Sequence, residues 1–345
     1  MALNRLVMTA QEIDEVREIL VEIVARYDSV EDLEFHRDAC IWAHRLPERI
    51  RRFINAFKLF GERSGLCMIS GYPLDDAKIG KSPDHWKLRP RVSPALAEEA
   101  LLVLFGSLLG YAFGWSTQQD GRLLHEVFPI KEHEDEQLGT GSKKLLTWHT
   151  EDAFHECRGD YIGLLCIRNP NRVATLVASI DMVELAEEYK NILFEPRFTI
   201  RPDESHLAKN NSPAAESSDS GGMELARFEQ IERMRREPER ASVLFGSLDS
   251  PFIRIDPYFM DRLVEDEKAQ EALDNLIALV DGNLTEIVFE PGDFCFLDNL
   301  KAVHGRQPFV ANYDGHDRWL KRINVTCDLR KSRAWRREAA SRVMI

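Results

Sequence analysis

The spacing of apolar residues changes partway along this chain, and that change limits the folds open to it. Up to about residue 110 the large apolar side chains recur at helical spacing; beyond Leu145 they gather in short runs broken by Gly, Pro, Asn and Asp. Thr9 and Glu12 form a capping-box pair ahead of Ile13, Val16, Leu20, Ile23 and Val24, which predicts an opening amphipathic helix. Pro47 introduces a second helix, with Ile50, Phe53, Ile54 and Phe57 on one face and Gly61 as its stop, and Ser93-Pro94 starts a third that runs through Leu109. Residues 1–110 therefore predict a helical buttress.

The expected strands are Tyr161–Arg168, Thr175–Ile180, Phe198–Ile200, Ser242–Phe245, Phe252–Ile255, Glu286–Leu297 and Lys321–Leu329. Strands spread in this way over 145–330 fit a double-stranded β-helix, a cupin-like jelly roll, better than alternating βα units. The expected fold class is mainly β with flanking helices, in a single domain spanning 1–345. Pro202–Gly222 has few large apolar residues and predicts a surface loop, and the charged stretch Met223–Arg240 after it is helix-prone. The whole of 202–240 reads as an inert linker or as a lid-like insertion between two halves of a site.

Composition narrows the partners. Forty-five basic against fifty-eight acidic residues leave a net charge of −13, which repels phosphate backbones, so nucleic acid is not an expected partner. No run approaches the roughly 18 uninterrupted apolar residues of a membrane span. Met1–Thr9 lacks the basic flank and apolar stretch of a secretory signal, which makes the cytoplasm the expected compartment. Cys40, Cys67, Cys157, Cys166, Cys295 and Cys327 are scattered without CxxC spacing and are expected as free thiols. The N-terminal helices offer a homodimer contact, although nothing in the sequence requires one.

The chemistry concentrates in two places. In Thr147-Trp148-His149-Thr150-Glu151, a histidine and an acid two apart project to one face if they lie on a strand. Far downstream, Pro291-Gly292-Asp293-Phe294-Cys295-Phe296-Leu297-Asp298-Asn299 leads into Val303-His304-Gly305-Arg306: a turn, a buried strand, and a polar exit carrying another histidine. Two neutral imidazoles and one carboxylate form a facial triad for iron(II), leaving positions for a bidentate oxoacid and dioxygen. Fourteen positions past His304 stands Arg318, whose planar guanidinium suits the distal carboxylate of 2-oxoglutarate. His155 competes for a ligand role but reads better as packing beside the centre, and Trp148 as core.

These residues resemble the clavaminate synthase-like family of iron(II)/2-oxoglutarate oxygenases, over about Leu104 to Arg333. The phrases HTEDAFH, PGDFCFLDN, HGR and YDGHDRWLKR are most similar to hydroxylases of free basic amino acids. The resemblance implies Fe(II), 2-oxoglutarate and O2 at His149, Glu151 and His304. It also implies Thr175 beside Arg318 on the cosubstrate, Gln118 and Glu151 at the substrate's α-amino end, and Arg322 near its carboxylate. Asp256 would meet the substrate's basic end, with Asp249 as a supplementary acid; a loop-capping role for Asp256 is the alternative. The arginine enzymes carry a second acid two places after the first, where this chain has Tyr258.

The expected activity is hydroxylation at C3 or C4 of a free arginine- or lysine-type amino acid, giving succinate and CO2. Desaturation or ring closure, a carrier-bound substrate, and a metal-binding sensor without turnover are the alternatives. A zinc hydrolase does not fit, since no His-Glu-x-x-His occurs.

Overall fold

Tyr161–Arg168, YIGLLCIR, is buried at all eight positions, and a strand with no polar face needs cover on both sides. In the computed structural model, which describes residues 3–211 and 221–344, this strand lies inside an eight-stranded sheet. Phe294–Asp298 and Trp319–Thr326 flank it antiparallel; Leu66–Ser70 and Arg5–Val7 extend one side, and Tyr111–Trp115, Leu124–Val127 and Val343–Met344 the other. A four-stranded sheet, in the order Thr285–Ile287, Thr175–Ser179, Ala302–Arg306, Leu146–His149, faces it. Leu66, Met68, Ile162, Leu164, Val177, Ala302 and Leu320 pack in one cluster between the two sheets. This is the expected jelly roll.

Helices close the outer faces. Leu96–Leu109, buried along most of its length, lies on the large sheet, with Ala10–Arg26, Leu33–Ala43 and Glu48–Phe60 packed around it. Glu267–Gly282 supplies Leu273 and Leu276 to the outer face of the small sheet, against Trp148, Ala178 and Val303. The capping box forms as its residues imply: the Glu12 amide donates to Thr9 Oγ1 at 3.2 Å, and the Thr9 amide donates to Glu12 Oε2 at 2.8 Å. Among the described residues no helix is long and apolar enough to cross a membrane. All six cysteines are free.

Several expectations need correction. The N-terminal region is not only a helical buttress, because Arg5–Val7 and Leu66–Ser70 enter the large sheet; strands of three and five residues between helices are too short to show a clear period. The single strand expected over Glu286–Leu297 is two strands in different sheets, separated by the turn at Pro291-Gly292. Gly292 has φ +84°, and a Cβ there would lie 1.9 Å from the Tyr72 carbonyl oxygen, so the crossing admits no side chain. Leu244–Gly246 and Pro251–Ile253 pair as a separate hairpin rather than joining the jelly roll. The loop expected over Pro202–Gly222 is tucked inward where it is described: it makes two short 3-10 turns and buries His206 completely. Residues 212–220 lie outside the described residues, and Gly221–Arg236 is helical.

Candidate metal centre and cosubstrate cleft

His149 ends its strand directly opposite His304, and the two rings stand 4.8 Å apart. The His149 Nδ1–H donates to the Thr147 carbonyl at 2.8 Å, which leaves Nε2 with its lone pair free. Glu151 does not reach the histidines by strand alternation, as the His-x-Glu spacing suggested, because the strand stops at His149 and Glu151 sits in the following turn. Asn299 holds that turn, accepting the Glu151 amide at 2.7 Å and donating to the Glu151 and Gly159 carbonyls at 3.1 and 2.8 Å. Asn299 of the downstream motif thus sets the second ligand.

Glu151 Oε2 lies 3.8 Å from His149 Nε2 and 3.4 Å from His304 Nε2. That oxygen is buried with no hydrogen-bond partner, and the three ligand atoms lie within 4.8 Å of one another. A carboxylate oxygen left over between two imidazole nitrogens fits a cation better than any neighbour in the chain. Its other oxygen, Oε1, pairs with Arg322. Burial pushes the Glu151 carboxyl up, but Arg322 and the two histidines outweigh it and hold the group well below the usual carboxylate range. Burial works against a charge on His149 too, yet the nearby Glu151 carboxylate and the field of Asp256 raise it to about 9 without metal. His304 goes the other way, lowered by burial and by the charge of His149. Metal binding would draw on the unprotonated form of His149, so it releases a proton there.

A narrow cleft opens from the triad. At one end Arg318 is buried and donates to Thr175 Oγ1 at 3.2 Å, while its Nε has no partner. Burial lowers the Arg318 guanidinium to about 10, and no acid pairs with it among the described residues. A buried cation of this kind calls for an anion, and the fork of donors is shaped for a carboxylate.

The other end is lined by Asp203, Ser205, Asp256, Tyr258 and Phe259. Asp256 Oδ1 accepts the Tyr258 and Phe259 amides at 3.1 and 3.3 Å, so the loop-capping role is real, yet the carboxyl also faces the cleft. Burial, with Asp203 adding to it, raises Asp256 to about 6. Tyr258 is half exposed at the cleft mouth. Gln118 is buried behind Arg322: its amide donates to Ser205 Oγ at 2.7 Å and to Asp152 Oδ1 at 3.2 Å, and its oxygen is 3.5 Å from Arg322 Nη2. Arg322 is also held by His125 at 2.7 Å. Asp249 lies elsewhere, on an exposed turn near Arg63 and Lys190, and is not part of the cleft. His155 packs between Trp115 and Trp335, accepts the Cys157 amide on Nδ1, and approaches no ligand.

Sequence reasoning missed Asp152, Asp203, Ser205 and His206. Asp152, at φ +51° in the ligand turn, accepts from Trp115 Nε1 at 2.6 Å and faces His206 Nε2 at 3.0 Å. His206 also meets Thr117 Oγ1 at 2.7 Å, which fastens the 203–211 segment beside the triad. The one available sign was a histidine and two acids in a stretch otherwise poor in apolar residues.

Known proteins share this architecture. The profile of the taurine catabolism dioxygenase TauD, TfdA family matches residues 94–324. Enduracididine beta-hydroxylase of Streptomyces hygroscopicus is 41% identical over 323 residues, 94% of each chain. L-ornithine/L-arginine 3-hydroxylase of Catenulispora acidiphila is 41% identical over 343 residues, 99% of this chain and 100% of its own. The crystal structure of the non-heme iron oxygenase OrfP with Fe, succinate and (3S)-hydroxy-L-Arg superposes with a TM-score of 0.93 at 47% identity, covering 99% of both chains. Clavaminate synthase 2 of Streptomyces clavuligerus is 27% identical over 319 residues, 90% of each chain.

Proposed function

The chain belongs to the TauD, TfdA family of dioxygenases, and from that premise we propose that it hydroxylates C3 of a free guanidino amino acid of the arginine type. Iron(II) held by His149, Glu151 and His304, with 2-oxoglutarate bound, supplies dioxygen activation: one oxygen atom goes into succinate as CO2 is lost, the other into a substrate C–H bond. The chain's own work is to hold and aim. Arg318 and Thr175 anchor the cosubstrate's distal carboxylate. Arg322 takes the amino acid's carboxylate while Glu151 and Gln118 flank its α-amino group. Asp256 and Asp203 receive the cationic end.

The observation that carries the substrate reading is the pair of acids Asp203 and Asp256 lining the cleft, neither of them paired with a lysine or arginine among the described residues. Each has an oxygen committed to backbone amides, Asp203 to Ser205 at 2.8 Å, and each has a second oxygen for an N–H donor, that of Asp203 lying 3.9 Å from His206 Nε2. Two acceptors on separate elements suit the edges of a guanidinium better than a carbonyl. Relatives named as 3- and beta-hydroxylases support the carbon.

Of the lid-like insertion, residues 203–211 close over the cleft in this reading: Asp203 and Ser205 reach it, and His206 latches on Asp152; 212–220 lie outside the described residues. Six unpaired thiols favour the cytoplasm as the place of reaction.

The test is an anaerobically iron-loaded assay, opened to oxygen with arginine, ornithine, lysine or citrulline, reading succinate and amino-acid mass together. Arginine should gain 16 daltons in step with succinate, as insertion of one oxygen atom requires. Citrulline matches arginine in shape without its charge; equal turnover of the two would remove the role given to Asp203 and Asp256.

A further inference from the structure

The motif His304-Gly305-Arg306 holds more than a ligand. Its strand pairs antiparallel with the one carrying His149, but only at two places: His304 faces His149, and Arg306 faces Leu146. Two steps on one strand span three on the other, so the His149 strand contains one extra residue, a β-bulge. The bulge presses backbone onto Gly305. A Cβ at that glycine would lie 2.5 Å from the Leu146 carbonyl oxygen and 3.0 Å from the Trp148 nitrogen, and backbone atoms paired into a sheet have no room to withdraw.

Within the bulge lies Thr147, whose carbonyl receives the Nδ1–H of His149. The shape of the bulge therefore decides how the first metal ligand is turned, since only this bond presents Nε2 to the triad. Something must hold that shape, because the extra residue is left out of the ladder.

Arg306 is placed to do so. It is 3% exposed, shares the inward face of the strand with His304, and donates to the carbonyls of Gly141 and, at 2.9 Å, Lys144. Its guanidinium lies 5.1 Å from the ring centroid of Phe309, whose amide donates to the Ser142 carbonyl at 2.9 Å. All these carbonyls belong to the chain entering the bulged strand. The buried charge has no acid partner among the described residues; its two terminal nitrogens go to main chain, while its Nε is left without a partner at the wall of the cleft.

We infer that Arg306 is a positioning residue for the metal centre: by strapping Gly141 and Lys144 to the His304 strand it keeps the Leu146–Trp148 bulge in the shape that aims His149. The inference rests on the iron reading of the triad and gives Arg306 a role toward the metal that is separate from Arg318's role toward the cosubstrate.

The experiment titrates wild type, Arg306→Gln and Arg306→Lys with Fe(II) under argon and with Co(II), following visible absorption, and measures Tm and the affinity for 2-oxoglutarate. Arg306→Gln should weaken metal binding about 10- to 100-fold, the range for loss of an outer partner of a metal ligand, and change the Co(II) spectrum. Its 2-oxoglutarate affinity, measured with metal saturating, should stay close to wild type. Arg306→Lys keeps the charge and one donor and should recover part of the loss. Wild-type metal affinity in Arg306→Gln, whether with a lower Tm or with weaker 2-oxoglutarate binding, overturns the inference. If Arg306→Gln does not fold, Arg306→Lys decides: intermediate metal affinity supports the inference, wild-type affinity and spectrum overturn it. Failure of wild type itself to bind either metal would instead bring down the iron centre.

Discussion

The two ends of the cleft are built differently. At the cosubstrate end every group sits on or beside a paired strand: His304 and Thr175 in the small sheet, His149 at its edge, Arg318 one residue before the long strand Trp319–Thr326. Ladder hydrogen bonds fix their mutual positions before any ligand arrives. At the substrate end Asp203, Ser205, Asp256 and Tyr258 come from turns, held by local caps and by a few side-chain contacts of the 203–211 segment to Asp152, Thr117 and Gln118. Chemistry common to a family is carried by the rigid sheet, and substrate choice by segments that can vary without disturbing it.

That contrast can be broken at either end, and the largest effect belongs to the triad. His304→Ala should remove metal binding and lower turnover about a thousandfold or more, since the loss of metal chemistry is worth several kcal/mol; anaerobic Fe(II) titration and succinate release check it. Arg318→Met comes next. Losing hydrogen bonds to a charged group costs about 1.5–3 kcal/mol, so KM for 2-oxoglutarate should rise about 10- to 100-fold. The KM for the amino acid should barely change, and equal changes in both would show that the two ends are not independent.

Asp256→Asn should lower kcat/KM for arginine about 30-fold, as expected for about 2 kcal/mol lost from a desolvated charge contact, without changing 2-oxoglutarate affinity. The wild-type pH profile tests the same group. Asp256 is held up at about 6 mainly by burial, so it is charged above that pH and neutral below it. Acidification through about 6 should therefore lower kcat/KM for arginine, and Asp256→Asn should lack that limb. An unchanged profile in the variant assigns the limb to another group.

His206→Ala should have the smallest effect, a roughly fivefold rise in the amino-acid KM for about 1 kcal/mol of lost latch. Faster amide exchange confined to 203–211 would show that the latch holds only its own segment. If exchange also rises in the triad strands, the two ends share one cooperative unit.

Much of the cosubstrate end was legible in the sequence, because a ligand motif on a strand carries its geometry with it. His149, Glu151 and His304 come together, and Arg318 lines the same cleft. Even so, Glu151 arrives by a turn clamped by Asn299, a residue 148 positions away, and no local pattern shows that bond. The substrate end was harder to read. Asp256 stood out, but Asp203, Ser205 and His206 lie in a stretch whose polar composition argued for solvent, and they are drawn inward by Asp152, Thr117 and Gln118. Asp249, an equally plausible acid by sequence, stays on an exposed turn.

What this sequence determined by itself was local: the Thr9 cap, the helical periods, the near-continuous apolar run Tyr161–Ile167, and the residue types of an iron and oxoacid site. Each follows from neighbours within a few positions, where backbone sterics and side-chain period leave few choices. Tertiary structure decided which sheet each short strand joined, which carboxylates faced the cleft, and where the extra residue opposite Gly305 fell. Those outcomes depend on contacts between residues far apart in the chain, and they emerge only when the two sheets close and buried polar groups find partners.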